Sequence, residues 1–568
     1  MNSDAARASP PVPQGMRTAA GAVLVALPFL FPFATGPSTN VWQLLASWGC
    51  VALLLLRGPV AAPDRRIVAG LAVAAAVLAA GGLHGDEVGR WLPACLALAA
   101  IGAAAAVGAG LAFEGEQRQA WLPWGLAAAG LVSVALGLLQ YFGAAEALVP
   151  WTTAPELGQA YGNLRQRNQF ASLLCMALVA TLWSHAHSRQ RRYRVACVVS
   201  ASLWVVGLAA STSRTGLLEL LLVSLASALL AWRERRGARP DSSSSFYRLP
   251  DPRWLVGLLP LYLAVAWLLP RLTAHPVEGM FDRLRDGAST GHSRLVLWRN
   301  VVELIAQHPW IGWGWGELKF AHYSTLYPGP RFDDILDNAH NLPLHLAVEL
   351  GLPAALLVCG GFGWLVMRAR PWRENDPTRL MLWAVLGIIV LHSLLEYPLW
   401  YGPFQLVFGL CLGALWPARV PSSRRRQWPG ASVLPKVAGG MLLAVVCYGA
   451  WDYTRVSQIY LAREERLPAY RDDTLARIGR SWLFAGPVEF AELTLTPVSQ
   501  ANAARLHALA ERALHFSPEP AVVVKLIDSA KLLGLEDEAL AQAARFKRAY
   551  PQAYAHWLRG EPWSEPPG

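Results

Sequence analysis

Charge is what this sequence has little of. Of its 568 residues only 16% are Asp, Glu, Lys or Arg, against 54% hydrophobic, and the mean hydropathy is +0.30. A soluble surface uses roughly a quarter charged residues, so the shortfall excludes an ordinary soluble domain, and the apolar content excludes a disordered or fibrous chain. Paired cysteines are also missing. Cys50, Cys95, Cys175, Cys197, Cys359, Cys411 and Cys447 all lie inside apolar stretches with no C-x-x-C spacing, which implies neither a disulfide framework nor a cysteine metal site. There is no Walker loop and no Rossmann fingerprint. The first apolar run, 19–33, has no small-x-small cleavage site and reads as a retained span. The net charge of +11 does not make a nucleic-acid reader, because Lys and Arg fall between apolar runs instead of forming one basic patch.

What is present is a series of thirteen apolar stretches between Ala19 and Tyr448. About 20 residues suffice to cross a ~30 Å hydrocarbon core as a helix, and these runs lack the alternation of barrel strands. The expected fold is an all-α polytopic membrane protein with about 13 transmembrane helices. Residues 1–17 read as a cytoplasmic tail, 18–270 as helices one to nine, 271–342 as a long periplasmic loop, 343–450 as helices ten to thirteen, and 451–568 as a periplasmic helical domain. Orientation follows from the positive residues retained on the cytoplasmic side: Arg57, Arg65 and Arg66, then 188–194, 233–240, 367–373 and 423–426. The stretch 233–253, with Ser242 to Ser245, reads as a flexible basic loop. An odd number of spans leaves the tail on the opposite face, and many of the 25 tryptophans sit at span ends, where indole is favoured.

Within the tail, 504–520 and 537–553 are similar Ala-rich helical segments, and Pro518 and Pro551 lie 33 residues apart. That is close to the ~34-residue tetratricopeptide period. Two readings stay open: helical-hairpin repeats that hold a partner, and a plain helical cap.

Polar groups at the outer ends of spans are costly beside lipid and are functional candidates by default. Gln166 and Asn168 precede span six, Arg214 lies between spans seven and eight, Arg294 is in the long loop, His340 leads into span ten with Glu349 further along it, and Glu396 and Tyr397 end span eleven. The segment 292–316 reads as an amphipathic helix stopping at Pro309, with Leu295, Trp298, Val302 and Ile305 as its apolar stripe and Arg294 at its start. His340 and His345 are five apart, not the four of a helical zinc motif, so no metal site is assigned, and Asp333 and Asp334 read as a solvated acidic loop. A purely structural role is open for each position: Arg214 capping a hairpin, Gln166 and Asn168 satisfying helix ends, Tyr397 in the interfacial belt. His392 and Glu396, four apart, read as a structural pair that orients Tyr397.

Taken together, GNLRQRNQFA at 162–171, SRTGLLELLL at 213–222, the 294–316 segment, AHN at 339–341 and HSLLEYPLWY at 392–401 resemble the bacterial O-antigen ligase and O-oligosaccharyltransferase superfamily with its Wzy C-terminal domain. The Gln-x-Asn and EYPLWY elements, and the helical tail, are most similar to its PglL-type protein-glycosylating branch. The resemblance implies a GT-C-type bundle in a bacterial inner membrane, with its active site facing the periplasm. It implies inverting transfer of a preassembled glycan from undecaprenyl pyrophosphate to a hydroxyl of a periplasmic, pilin-like protein, with no metal and no cofactor. It further implies His340 as the essential histidine and Arg214 and Arg294 as pyrophosphate ligands. Gln166, Asn168, Tyr397, Asn341 and Glu349 would be further active-site positions. The chemistry agrees: a neutral imidazole of pKa ~6.5 can take the proton of a hydroxyl, and a guanidinium fork suits developing phosphate charge.

Two acceptor alternatives share that chemistry, an O-antigen ligase acting on lipid A core and an O-antigen polymerase. A flippase that moves the glycan without cleaving it is a third class. It would place charges near the bilayer midplane in repeated halves, whereas here the polar residues gather at one face and no duplication is evident.

Overall fold

The computed structural model of the chain describes residues 14–82, 88–115, 119–237, 248–286, 293–418 and 433–561. The first thirteen residues of the N-terminal tail, residues 238–247 of the expected loop 233–253 with Ser242 to Ser245, and Arg424 to Arg426 lie outside them, while 233–237 continue a helix. The chain is all-helical in its architecture. The helices α1 (Gln14–Leu30), α2 (Val41–Arg57), α3 (Arg65–Gly82), α4 (Val88–Leu111), α5 (Trp121–Tyr141), α6 (Arg167–His187), α7 (Arg191–Ser211), α8 (Arg214–Gly237) and α9 (Pro252–Leu268) form the first part of the bundle. Among the described residues nine helices are long and apolar enough to cross a membrane, and four shorter apolar helices accompany them. Together they account for the thirteen expected spans, and the protein is a multi-pass membrane protein.

Helix α6 stands at the centre. Every residue from Gln169 to Trp183 is buried, as a helix apolar on all faces requires. Near it α4 packs against α16 (Gly402–Leu415) through small residues. A Cβ at Gly413 would fall 1.8 Å from the Ala105 carbonyl oxygen and one at Gly409 2.5 Å from that of Ile101. In lipid, where apolar burial gives no preference between helices, such close backbone approach supplies the packing contacts.

Between α9 and the last spans lie α10 (Met280–Asp286), α11 (Arg294–Gln307) and α12 (Leu318–Ser324). The buried face of α11 consists of Leu297, Val301, Leu304 and Ile305, while Leu295 and Val302 are exposed. Of the expected stripe, Leu295 and Val302 are exposed, Trp298 is half-buried and Ile305 is buried, so it is distinct from the face packed within the protein.

The tenth span differs from expectation. The run 343–366 is broken into α13 (Leu342–Leu350) and α14 (Leu352–Arg373) at Gly351, whose φ of +85° suits glycine alone. A Cβ there would lie 2.3 Å from the Trp310 carbonyl oxygen, and Leu352 N donates to Pro309 O at 2.8 Å. Glu349 therefore stands on a short helix ahead of the span, not within it. The bundle closes with α15 (Pro377–Ser393), α16 and α17 (Val433–Ser457). Because α15 stops at Ser393, Glu396 and Tyr397 stand in the turn beyond it.

The tail holds α18 (Thr474–Ile478), α19 (Ala485–Leu495), α20 (Ala503–Phe516), α21 (Pro520–Leu532), α22 (Glu536–Ala549) and α23 (Pro551–Leu558). Leu506, Leu509, Leu526, Ile527 and Phe546 form its core, and Tyr323 of α12 is part of the same cluster. The tail is thus packed onto the loop that precedes α13. Tyr323 Oη donates to Gln542 Oε1 at 3.2 Å, and Glu317 joins Arg90 of α4 to His515 Nδ1, the latter at 2.6 Å.

Candidate active site

His340 sits on a turn, not on a helix. Its φ is +49°, a left-handed conformation costly for a side chain with a Cβ, and Asn338 Oδ1 stabilises the turn by accepting from His340 N at 2.9 Å. The next residue, Asn341, caps α13 by accepting from Leu344 N at 3.1 Å. Its amide also donates to Leu394 O at 2.9 Å, tying α13 to the turn after α15. This stitching brings His340 to Glu396: His340 Nδ1 lies 2.6 Å from Glu396 Oε2.

Glu396 is the hub, and its side chain is 5% exposed. Its Oε1 accepts from Asn168 Nδ2 at 2.8 Å and from Arg294 Nη2. Arg294 also donates through Nη1 to Leu395 O at 2.5 Å. Burial alone would push the Glu396 carboxyl up, but the hydrogen bond from His340 and the charge of Arg294 hold it below the usual carboxylate range. The carboxylate therefore stays an acceptor, and it fixes the imidazole with N–H on Nδ1. The Nε2 lone pair is then available. Among the described residues Nε2 has no hydrogen-bond partner, and the side chain is 23% exposed.

This corrects the reading of His392 and Glu396 as a structural pair. The helix ends between them, so Glu396 turns towards His340 while His392 Nδ1 pairs with Ser172 Oγ at 2.8 Å in the bundle. Sequence reasoning placed Glu396 on the right face but missed its partners. An acidic residue closing an apolar run just before Tyr-Pro, where a helix cannot continue, was the available signal.

The remaining candidates divide. Asn168 belongs to the hub, and its Oδ1 accepts from Ser213 Oγ at 2.6 Å. Ser213 immediately precedes Arg214, so the start of α8 is linked to Glu396 through Asn168. Arg214 itself donates to Arg283 O and makes no direct contact with the hub. Tyr397 stacks edge-on to His340 with ring centroids 5.0 Å apart, and burial, then the neighbouring Tyr401, pushes its phenol far above the ordinary range, so it stays neutral. Gln166 caps α6, accepting from Gln169 N at 2.7 Å. Glu349 is a post for the Gly/Trp-rich turn: its carboxylate accepts from Gly316 N at 3.0 Å and Leu318 N at 3.4 Å, and no hydrogen bond joins it to His340. His345, 3.4 Å from Glu349, continues an aromatic wall through Trp315 and Trp400 towards Tyr397. All of these lie on the face of the bundle that carries the tail.

An imidazole oriented by a buried carboxylate, beside a guanidinium at a membrane surface, can remove a proton from a hydroxyl and bind an anion. Comparison with known proteins shows what the chain is similar to. Residues 197–359 match a family model described as O-Antigen ligase, 160–185 one described as Protein glycosylation ligase, and 380–561 one described as Virulence factor membrane-bound polymerase, C-terminal. His340, Asn341, Arg214, Arg294 and Glu349 fall in the first, Gln166 and Asn168 in the second, Glu396 and Tyr397 in the third. A General O-oligosaccharyltransferase of Acinetobacter baylyi is 29% identical over 303 residues, 50% of this chain and 49% of its own length. A ComP-specific O-oligosaccharyltransferase of the same organism is 23% identical over 267 residues, 47% of this chain and 45% of its own. The chain spans about half the length of the curated relatives it matches. These matches show the resemblance to the O-antigen ligase superfamily and its O-oligosaccharyltransferases.

Proposed function

We propose that the protein is an O-linked protein oligosaccharyltransferase of the bacterial inner membrane. It moves a preassembled glycan from undecaprenyl pyrophosphate to a Ser or Thr hydroxyl of a periplasmic, pilin-like protein. The observation that carries this reading is the 2.6 Å contact between His340 Nδ1 and Glu396 Oε2, in a chain similar to two proteins named O-oligosaccharyltransferases. With Nδ1–H held by Glu396, His340 Nε2 accepts the proton of the acceptor hydroxyl. The hydroxyl oxygen bonds to the anomeric carbon from the face opposite the leaving group. The bond from that carbon to the phosphate oxygen breaks, its electron pair stays on the lipid pyrophosphate, and the configuration inverts. Arg294 and Arg214 bind the charge that develops there, as preorganised cations placed where negative charge forms. Tyr397 and Asn168 hold the imidazole and the carboxylate in place.

A second reading is supported by the ligase and polymerase descriptions of two matched models: the same transfer made to a sugar hydroxyl, on lipid A core or on a growing glycan. Purified protein in liposomes with a lipid-pyrophosphate-linked oligosaccharide, offered a pilin-like protein and a lipid A core, separates the readings by intact mass. A glycan-sized increase on the protein supports protein O-glycosylation. Transfer to lipid A core alone would make it a ligase, and no transfer to either by folded protein would remove the first reading.

A further inference from the structure

The tail carries a second constellation, unused by the chemistry above. His507 on α20 is buried at 9% exposure, and its Nε2 lies 3.4 Å from Oε2 of Glu538 at the start of α22 and 4.0 Å from Oε1 of Glu511 one turn along α20. One ligand atom from each residue lies within 4.8 Å of the others. The other ring nitrogen settles what Nε2 presents. Ser529 Oγ is 3.2 Å from His507 Nδ1 and donates to Leu526 O at 3.0 Å. A hydroxyl has one hydrogen. With that hydrogen on the Leu526 carbonyl, Ser529 accepts from His507, and N–H is placed on Nδ1. A neutral His507 then aims the Nε2 lone pair at two carboxylates, so three acceptors converge with no donor among them. Something positive belongs between them, a metal ion or a second proton on the ring.

We propose that His507, Glu511 and Glu538 bind a divalent transition metal, with zinc the fitting ion, and that the ion clamps α20 to α22. Zinc takes imidazole nitrogen and carboxylate oxygen at about 2.0–2.2 Å, so adjacent tetrahedral ligands lie roughly 3.3 Å apart. The Glu538 oxygen is already at that spacing. Glu511, with its side chain 59% exposed, is free to close the remaining gap, and a water would complete the set. One nitrogen with two oxygens is too few and too soft a set for calcium or magnesium. Ser529 holding the non-ligating nitrogen is the usual outer-shell support of a metal-bound histidine. The site lies one turn along α22 from Gln542, which bonds Tyr323 of the loop, so clamping this helix stiffens the surface on which the loop rests. The metal has no part in the transfer chemistry, and its test does not depend on that reading.

The test uses the full-length, tag-free protein in detergent, stripped with a chelator and titrated with Zn²⁺ in competition with a chromogenic zinc indicator. Wild type is expected to hold one equivalent and to gain thermal stability. Glu538→Gln and Glu511→Gln should each weaken binding by at least about tenfold, and His507→Gln should abolish it. Mg²⁺ and Ca²⁺ should neither compete nor stabilise. Absence of a stoichiometric zinc in wild type, or equal zinc binding and equal thermal gain in the two glutamine variants, overturns the site and leaves a protonated His507 between two carboxylates. Glu511 is exposed and Glu538 half-buried, so their variants decide the matter even if His507→Gln fails to fold.

Discussion

His340 Nδ1 and Glu396 Oε2 stand 2.6 Å apart, and the other oxygen of that carboxylate receives Arg294 and Asn168. Glu396→Gln separates orientation from charge. An amide oxygen can still accept from one donor, but the amide NH₂ must then face Arg294, Asn168 or His340, all of them donors. We expect transfer to fall by about 10²–10⁴, within the range for a misoriented general base. His340→Ala should abolish transfer while leaving the protein folded. Single-turnover transfer rates beside thermal unfolding check this, and wild-type transfer by a stable Glu396→Gln protein would remove Glu396 from the mechanism.

Arg294 tests the fork. Its two terminal nitrogens engage Leu395 O and Glu396 together, and its side chain remains 40% exposed. Lysine keeps the charge but cannot make both bonds in one plane. In Arg294→Lys we expect the donor concentration for half-maximal rate to rise about tenfold with little change in melting temperature, because lysine keeps a positive charge beside the buried carboxylate. A variant that loses stability and keeps its donor dependence would make Arg294 a structural residue.

Most of the bundle was legible because a lipid-facing helix writes its length in apolar residues: among the described residues an apolar helix answers each of the thirteen runs, with the tenth displaced to Leu352–Arg373. The break at Gly351 was not, since hydropathy is blind to a positive φ inside an apolar run. The positions of the site were legible as polar residues at one face. Their partnerships were not, because His340, Glu396, Asn168 and Arg294 come from four separate segments. The stop of α15 at Ser393 lets the Glu396 side chain turn to His340 although Glu396 N still donates to His392 O at 2.8 Å, and helical spacing alone had paired the two side chains. Glu349 shows the converse, a polar residue in a matching motif whose carboxylate holds the backbone of a turn.

His322, in the loop beneath the tail, gives a pH-dependent stability. It is buried between Tyr327 Oη at 2.8 Å and Phe332 O at 3.1 Å. Burial, then the Arg331 guanidinium, pushes its pKa from 6.5 down to about 3, partly offset by the bond to Phe332. The unfolded histidine binds its proton below 6.5 and the folded one does not, so stability is full above pH 6.5 and falls as the pH drops towards 3. At pH 5 the loss is roughly 2 kcal/mol. His322→Gln, which keeps a donor and an acceptor, should flatten the decline in melting temperature between pH 7 and 5. An unchanged slope would show that another group titrates there.

Glu317 links three parts of the molecule: Arg90 of the bundle, the start of α12, and His515 Nδ1 of the tail at 2.6 Å. His515 is also stacked on Phe320 with ring centroids 3.9 Å apart. Glu317→Ala removes the carboxylate shared by Arg90 and His515 and so cuts one tie between the bundle and the tail. The hydrogen bond between Tyr323 and Gln542 and the apolar cluster around Tyr323 remain, so the tail should loosen without leaving the loop. Hydrogen exchange followed by mass spectrometry should then rise in 318–324 and 503–516 and stay unchanged in 167–187. Unaltered exchange in the first two segments would mean that the Tyr323 core alone holds the tail in place.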